Sequence, residues 1–335
     1  MRQRVDIYTL LKKLMEIDST SGKEDHVVDF IAGYLKDSGF EVMLQNVNGK
    51  RNNIFAKKDE PVIVFSTHMD TVNPYIPYSE DTDYIYGRGA CDAKGSLSVQ
   101  IKAAEKLVEK GFGKIGLLFV VGEEAGSDGA KKANNIRNKC KYLINGEPTE
   151  NKLISGSKGA IRIRIVAHGK AAHSAYPEQG DSAIFKLIHL LNRWEEQAYP
   201  EDKILGKTTW NTGLISGGVQ ANVIPAHAEA EVMFRTVVSF EKMKYILEKD
   251  LPADISLEYI YQADPVILNT ADGFEKDIAA FATDVPLLNK WGKPFLMGPG
   301  SILDAHTDHE KVKKSDLEKA VNLYCDLTEM LLKNK

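Results

Sequence analysis

The stretch IGLLFVVGEEAGSDGA, residues 115–130, joins the most apolar run of the chain to two adjacent glutamates. The run at 115–121 predicts a short buried strand, because it is apolar almost throughout and is followed by Gly122. Adjacent glutamates usually lie on solvated helix faces, but Glu123 and Glu124 stand directly at a strand end. Two carboxylates in that place can divide the work: one binds a metal ion and the other takes a proton from a metal-bound water.

Two further apolar runs predict buried strands on either side of this one, VIVFS at 62–66 and YLI at 142–144. Helical periodicity occupies 27–38, before the first of these strands, and 96–109, between the first and the second. Apolar strands that alternate with amphipathic helices are typical of a largely parallel sheet with helices on both faces. We therefore expect an α/β fold for the first half of the chain.

The pattern changes after Glu150, because the later strands alternate apolar and polar residues and so expose one face. They combine with helices into a β-α-β-β-α-β unit, with strands at 161–167, 228–236 and 255–261 and helices at 181–195 and 240–249. The tail most simply returns to the first domain. The sequence thus predicts a discontinuous domain, 1–157 and 263–335, that carries a ferredoxin-like α+β insertion at 158–262.

Composition excludes several classes of protein. Among 335 residues, 43 Lys and Arg against 47 Asp and Glu give a net charge of −4, without the basic excess of a nucleic-acid binder. No apolar run approaches the ~18 residues of a membrane span. The three cysteines form no CxxC pair, which favours a reduced, cytoplasmic protein. The first residues predict a helix that buries Ile7, Leu10, Leu11 and Leu14, not a signal peptide.

Other chemistry-bearing side chains also follow predicted strands. His68 and Asp70 come directly after the strand at 62–66, and Glu147 follows the strand at 142–144. In open α/β sheets, ligands bind just outside the carboxyl ends of the strands. An ordinary surface loop remains the alternative for the His68–Asp70 pair.

Two loops supply the remaining candidates. Asp92 lies in YGRGACDAKGSL, between glycine-rich turns and a helix start, where a helix N-cap is the alternative role. The same stretch lacks the third glycine of a dinucleotide-binding loop. His306 lies in DAHTDHEKV, where His309 competes with it as a ligand candidate.

The candidates together favour a pair of metal ions. Two imidazoles and three carboxylates suit Zn²⁺, Co²⁺ or Mn²⁺ and not a soft thiolate site. If one carboxylate bridges, each ion gains two further ligands from the set, which comprises His68, Asp92, Glu124, Glu147 and His306.

This constellation resembles the di-zinc amidohydrolases and peptidases that include acetylornithine deacetylase, succinyl-diaminopimelate desuccinylase, aminoacylase and glutamate carboxypeptidase. The resemblance is nearest to the acetylornithine deacetylase-like members and covers almost the whole chain. Its motifs are HMD at 68–70, GRGACDAKG at 87–95, GEEAGSDG at 122–129, GEP at 146–148, HGKAAHSAYPEQG at 168–180 and AH at 305–306.

The resemblance implies a role for each candidate at the centre. His68 and Glu147 would hold one zinc ion, and Glu124 and His306 would hold the other. Asp92 would bridge the two ions, and Asp70 would orient His68. A bridging hydroxide would be the nucleophile, with Glu123 as its general base. The family also implies a cis peptide bond after the bridging aspartate, at Asp92–Ala93.

The resemblance further implies that the insertion is a lid and a dimerisation domain. His173 would stabilise the oxyanion, reaching the site from the partner subunit of a homodimer. Asn222 would lie near the substrate, and Arg235 would bind its carboxylate. A backbone loop would contact the same carboxylate; its residues are Gly298, Pro299, Gly300 and Ser301. One departure is His309, which stands where an acidic residue is expected after AH, while Glu310 remains.

The predicted activity is therefore hydrolysis of the amide bond of N-acyl-L-amino acids, with acetylornithine first among the substrates, a reaction of amino-acid biosynthesis. The alternative is a metallo-dipeptidase, tripeptidase or carboxypeptidase of the same fold. An inactive binding protein of this fold is a further alternative. A measurement of metal content would distinguish it from the enzyme. A phosphate-binding loop is disfavoured because Glu201 replaces the first glycine before Gly206-Lys207-Thr208, and no GxSxG motif indicates a serine hydrolase.

Overall fold

The computed structural model describes residues 5–333, so residues 1–4 and 334–335 of the predicted catalytic domain lie outside the described residues. The helices are α1 (Ile7–Met15), α2 (Asp25–Asp37), α3 (Lys94–Glu109), α4 (Asp128–Ala133), α5 (Ala183–Glu196), α6 (Phe240–Glu248) and α7 (Lys314–Lys333). Short 3₁₀ turns occupy Glu123–Ala125, Pro177–Gln179 and Val285–Leu288.

The strands are β1 (Glu41–Asn48), β2 (Arg51–Lys57), β3 (Ile63–His68), β4 (Ser79–Glu80), β5 (Tyr84–Tyr86), β6 (Ile115–Val120), β7 (Tyr142–Asn145), β8 (Leu153–Ser157), β9 (Gly159–His168), β10 (Ala172–His173), β11 (Glu201–Asp202), β12 (Gly206–Lys207), β13 (Thr209–Gly217), β14 (Val223–Ile224), β15 (His227–Thr236), β16 (Ile255–Ala263), β17 (Val266–Ile267), β18 (Lys276–Ala279), β19 (Lys293–Leu296) and β20 (Lys311–Lys313).

The chain divides into two units. Unit 1 comprises the chain up to Ser155, Leu268–Asp277 and the chain from Thr283. Unit 2 comprises Gly156–Ile267 and Ile278–Ala282. The sequence places the insertion at 158–262, without the short segment at 278–282.

Unit 1 is built on a six-stranded sheet in the order β1-β2-β6-β3-β7-β19. The strands β6, β3, β7 and β19 run parallel to one another, whereas β1 and β2 form an antiparallel hairpin and β2 pairs antiparallel with β6. The predicted α/β fold is confirmed, and the hairpin is a difference from the prediction. Strand β1 of this hairpin is largely exposed. It therefore does not need the continuous apolar run that a buried parallel strand has.

Both faces of this sheet are covered. Ile63 and Phe65 of β3 pack with the helices α1, α2, α3 and α7, while Val64 between them packs on the other side with α4. Side chains of a strand alternate between the two faces of a sheet, so a continuously apolar strand needs cover on both. This explains the apolar run of β3 and the similar run of β6.

Helix α1 covers one face as the sequence predicts. Ile7, Leu10, Leu11 and Leu14 are all buried. The side chain of Asp6 accepts a hydrogen bond from the backbone N–H of Thr9, which caps the first turn. Among the described residues, no helix combines the length and the apolar character needed to cross a lipid bilayer.

Unit 2 contains an antiparallel sheet in the order β13-β15-β9-β16. Alternate residues of β9 and β15 pack against α5 and α6, and the opposite face carries Arg162, Arg164 and Glu231 as ion pairs. The alternation in the sequence thus reflects one buried face and one solvated face. Strand β13 lies at the edge of this sheet.

Candidate metal centre

The carboxyl ends of β6, β3 and β7 meet at one edge of the unit 1 sheet, because these three neighbours are parallel. His68 is the last residue of β3, and Glu147 follows β7 by two residues. Glu123 and Glu124 begin the 3₁₀ turn after β6. The loop that precedes α3 brings Asp92 to the same edge, so these five predicted residues converge.

One oxygen of Asp92 faces His68. The Nε2 atom of His68 lies 3.1 Å from Oδ1 of Asp92 and 3.9 Å from Oε2 of Glu147. The Nδ1 atom of His68 lies 3.0 Å from the carbonyl oxygen of Asp70. Because a carbonyl only accepts, Nδ1 carries the proton and the lone pair of a neutral His68 points from Nε2 toward the carboxylates.

The other oxygen of Asp92 faces His306. The Nε2 atom of His306 lies 3.4 Å from Oδ2 of Asp92 and 2.9 Å from Oε1 of Glu124. Ligand atoms of His68, Asp92 and Glu124 all lie within 4.8 Å of one another. The Asp92 carboxylate therefore lies between two groups, each made of one histidine and one glutamate.

Asp70 connects the His68 loop to the turn after β6. Its carboxylate accepts hydrogen bonds from the backbone N–H of Glu123 at 3.1 Å and of Glu124 at 3.2 Å. The hydroxyl of Ser21 donates to the same carboxylate at 2.7 Å. A buried Asp70 thus fixes the backbone of both glutamates as well as the position of His68.

The electrostatics of the cluster reflect its crowded carboxylates. Burial raises the pKa of Glu123, and the charge of the nearby Asp284 raises it further. Burial likewise raises the pKa of Glu147. Hydrogen bonds that His306 donates to Asp92 and Glu124 raise its pKa to about 10. The negative charges of these carboxylates are therefore not fully compensated by the positive groups of the protein.

These residues fit a pair of divalent cations. The Oε1 atom of Glu147 is buried and has no hydrogen-bond partner among the described residues. A buried carboxylate oxygen without a partner is costly unless a cation or a donor satisfies it. The donors are nitrogen and oxygen only, which suits Zn²⁺, Co²⁺ or Mn²⁺.

The loop at 298–301 packs under the centre. A Cβ atom on Gly298 would lie 2.4 Å from the carbonyl oxygen of Glu147, and one on Gly300 would lie 2.5 Å from Cβ of Cys91. The N–H of Gly298 donates to the hydroxyl of Thr149 at 3.0 Å, so it is already engaged. The hydroxyl of Ser301 donates to Glu150.

The remaining predicted residues lie in unit 2. His173 and Asn222 are neighbours, since β10 pairs with β14 and the N–H of Ser174 donates to the carbonyl of Asn222. The Nδ1 atom of His173 accepts from the N–H of Ala175 at 3.1 Å. In the neutral ring Nε2 therefore carries the proton and can donate.

Arg235 lies on β15 and is half-buried, which lowers the pKa of its guanidinium. Within residues 5–333, no acidic side chain forms an ion pair with it. A half-buried guanidinium that no carboxylate of the described residues neutralises is suited to an anionic ligand.

His309 is exposed, and its backbone N–H donates to Thr307. Only His306 of the two histidines contacts the candidate ligands in the described part of the chain. The predicted cis peptide bond at Asp92–Ala93 is present, and Asn73–Pro74 is also cis.

Sequence reasoning missed several residues of the site. Asp284 is buried, and burial raises its pKa to about 6. It follows no strand and belongs to no motif, so nothing in the local pattern marks it. Glu310 and Arg88 form a buried ion pair. The only sequence signal for this pair is that Glu310 is an acidic residue shortly after the AH motif at 305–306.

The chain matches a family model and curated proteins over most of its length. Residues 64–330 match the family described as Peptidase family M20/M25/M40. A peptidase M20 domain-containing protein of Schizosaccharomyces pombe is 40% identical over 332 residues, which cover 95% of this chain and 83% of the relative. A "probable carboxypeptidase" of Aspergillus flavus is 37% identical over 374 residues, which cover 97% and 87%.

Solved structures share the fold. Aminopeptidase PepT of Bacillus cereus superposes with a TM-score of 0.77 at 22% identity, over 95% of this chain and 96% of that one.

Proposed function

Because this chain belongs to peptidase family M20/M25/M40, we propose that it is a metal-dependent carboxypeptidase of short peptides. The observation that supports hydrolysis most directly is the Asp92 carboxylate placed between two histidine–glutamate groups. We favour a peptidase over the expected deacylase because the relatives are named as peptidases and carboxypeptidases.

We propose five residues as ligands of the metal ions, and the distances between them support this assignment. His68 and Glu147 would hold one ion, Glu124 and His306 the other, and Asp92 would contact both. We propose zinc for both ions, with cobalt or manganese as substitutes. When bound, the ions supply a Lewis acid for the scissile carbonyl and lower the pKa of a water molecule toward ~7.

Glu123 is the proposed general base. Its backbone N–H is held by Asp70, and its carboxylate contributes to none of the short contacts between Asp92 and the histidines. A carboxylate whose pKa is raised by burial binds a proton more readily, which suits a group that accepts a proton from water. Glu123 then returns that proton to the leaving amine.

Substrate recognition is assigned to residues of unit 2 and of the loop at 298–301. Arg235 would bind the terminal carboxylate of the peptide through its guanidinium. His173 would donate from Nε2 to the oxyanion, as its tautomer allows. Asn222 lies beside His173 and would contact the same part of the substrate. Gly298, Gly300 and Ser301 are proposed as further substrate-binding residues.

We also propose a homodimer that forms through unit 2. Strand β13 is an edge strand and exposes Leu214 and Ile215, which are 64% and 58% accessible. A groove of about 890 Å³ lies nearby on the same unit, lined by the exposed Phe185 and Val219. An unpaired edge with exposed apolar side chains is ready to pair with a second copy.

A cytoplasmic location remains part of the proposal. Its support is that the three cysteines are unpaired, with Cys91 and Cys325 buried. Unpaired cysteines are usual where thiols are kept reduced.

The deacylase of N-acyl amino acids is the second candidate. The resemblance to acetylornithine deacetylase and the glycine-rich loop at 298–301 favour it, and its substrates offer Arg235 the same carboxylate. A role in amino-acid biosynthesis would belong to this candidate.

A substrate panel separates the two candidates. Protein loaded with zinc, and an EDTA-treated control, would be given dipeptides and tripeptides, the same peptides amidated at the carboxyl end, and N-acetyl and N-succinyl amino acids including N-acetylornithine. We expect chelator-sensitive release of the last residue from peptides with a free carboxylate. Release from N-acyl amino acids alone would establish the deacylase, and cleavage of amidated peptides at a free amino end would indicate an aminopeptidase.

Arg235→Ala tests the carboxylate site. We expect KM for free-carboxylate peptides to rise with little change in metal content. Arg164→Ala is the matched control, because Arg164 is an arginine of the same sheet that pairs with Glu231 and Glu258. Equal KM values for the two variants would contradict the proposed role of Arg235.

A further inference from the structure

Three loops of unit 1 carry candidate ligands. We call them the ligand loops: residues 68–74, which begin at His68; residues 87–92, which end at Asp92; and residues 305–310, which contain His306. A buried ion pair between Arg88 and Glu310 lies among them. Their side chains are 2% and 0% exposed, so neither charge is solvated from outside.

The carboxylate of Glu310 holds the backbone of the loop at 87–92. Its Oε1 atom accepts hydrogen bonds from the N–H of Gly89 at 2.9 Å, of Cys91 at 3.2 Å and of Asp92 at 3.1 Å. The carbonyl of Glu310 also accepts from the N–H of Gly87 at 2.9 Å. One residue of the His306 loop therefore fixes the loop on which Asp92 stands, including the amide of Asp92 itself.

The guanidinium of Arg88 reaches the other two ligand loops. Its Nη1 atom donates to Oε2 of Glu310 at 2.7 Å and to the carbonyl of Thr307 at 3.3 Å. Its Nε atom donates to the carbonyl of Pro74 at 3.2 Å. A planar guanidinium has several fixed donors, which is why one side chain can bind three groups in two other loops.

The His306 backbone needs such support. Its φ angle is 63°, a left-handed conformation that residues other than glycine seldom adopt. Thr307 follows His306 directly and accepts from Arg88, while Glu310 ends the same loop. The ion pair thus constrains this loop on the carboxyl-terminal side of the bend.

We propose that Arg88 and Glu310 are positioning residues that set Asp92 and His306 in place for the metal ions, and so determine metal affinity. Replacing a residue that holds a metal ligand in position, without binding the metal itself, typically lowers metal affinity or activity by about 10- to 100-fold. The alternative is an ion pair that only stabilises the fold. The inference rests on the proposed function, because it concerns the same metal centre.

Glu310→Gln and Arg88→Lys test the proposal, with Glu105→Gln as the matched control. Glu310→Gln keeps the size of the side chain but removes the charge, and Arg88→Lys keeps the charge but loses the fork of donors. Glu105 is also a buried glutamate of unit 1 that accepts from Tyr34, Ser38 and Lys102, outside the ligand loops.

Zinc affinity would be measured by competition with a chelator, the visible spectrum would be recorded with cobalt bound, and thermal unfolding would be followed on metal-free protein. We expect both test variants to bind zinc about 10- to 100-fold more weakly and to show an altered cobalt spectrum, while Glu105→Gln binds like the wild type.

Two outcomes would overturn the inference: wild-type affinity and spectrum in a folded Glu310→Gln variant, or an equal loss of affinity in the control. If Glu310→Gln does not fold, Arg88→Lys decides by the same criteria. A wild-type protein that binds neither zinc nor cobalt would instead contradict the proposed function, and this inference with it.

Discussion

Asp92 offers one carboxylate oxygen to each of two histidines, at 3.1 Å from His68 and 3.4 Å from His306. Hydrogen bonds from His306 and His68 overcome the effect of burial and keep the pKa of Asp92 below its ordinary value. The residue therefore stays anionic, which is the state that a ligand shared by two cations requires.

Asp92→Ala should lose both metal ions, because each would be deprived of the same shared carboxylate. Metal content after dialysis, measured by mass spectrometry, checks this expectation. Circular dichroism would show that the variant is folded. Two retained ions in a folded variant would refute the bridging role.

Glu123→Gln should keep both ions and lose most turnover. Glutamine has the size of glutamate but cannot accept a proton from water, and general base catalysis typically contributes about 10²- to 10⁴-fold. Turnover and metal content of the same preparation would be compared. Substantial remaining activity would exclude Glu123 as the base.

Metal affinity should rise with pH. The pKa of His306 is about 10 in the metal-free protein, so its imidazole is protonated at neutral pH and must lose that proton to bind a cation. His68 adds to the effect, because its hydrogen bonds to Asp70 and Asp92 outweigh burial and raise its pKa. Higher pH removes these protons in advance and therefore strengthens binding.

Calorimetry in buffers of different ionisation enthalpy measures the protons released. We expect proton release on metal binding near neutral pH, including the proton that His306 carries. Binding that neither releases protons nor depends on pH would contradict the assignment of these histidines as ligands.

At the scale of elements, parallel strands bring the candidate ligands together, and the loop at 298–301 packs against them. The strands β6, β3 and β7 end side by side, which places His68, Glu124 and Glu147 at one edge. Gly300 has a φ angle of 80° and lies against Cys91, the neighbour of Asp92. The backbone approach at Gly300 leaves no space for a side chain.

Gly300→Ala should destabilise the protein and weaken metal binding. The left-handed backbone costs roughly 1–2 kcal/mol for an alanine, and crowding against Cys91 adds about 1–3 kcal/mol. Gly111→Ala is the matched control, since its φ is 86° but a Cβ there meets nothing within 4 Å. Chemical denaturation and zinc titration of both variants check this. Equal behaviour would show that the contact with Cys91 is unimportant.

At the scale of the whole molecule, the exposed edge strand β13 of unit 2 is the proposed contact between two copies of the protein. Leu214 and Ile215 of β13 should become buried in the proposed dimer, so replacing both with lysine should yield a monomer. Light scattering coupled to size-exclusion chromatography measures the mass. Lys244→Glu, on the remote helix α6, controls for a general effect of altered charge. A monomeric wild type, or a dimer that persists in the double variant, would contradict this interface.

The sequence by itself determined the α/β class, the strands that end at the site and the candidate residues that follow them. These are local signals: an apolar run, a period of 3.6 or 2, and a polar residue at the end of a strand. His68, Glu124 and Glu147 could be named on that basis, whereas Asp92 and His306 were named from two loops. The structure brings all five together; their binding of metal remains a prediction.

Only the tertiary structure decided how these residues are held. Arg88 and Glu310 are 222 residues apart in the chain, and no periodicity links them. Asp284 became part of the site's surroundings through burial, and β1 and β2 joined the sheet as an antiparallel hairpin. The physical reason is common to all three: a local pattern shows which side chains must be buried or paired, but the folded chain chooses their partners.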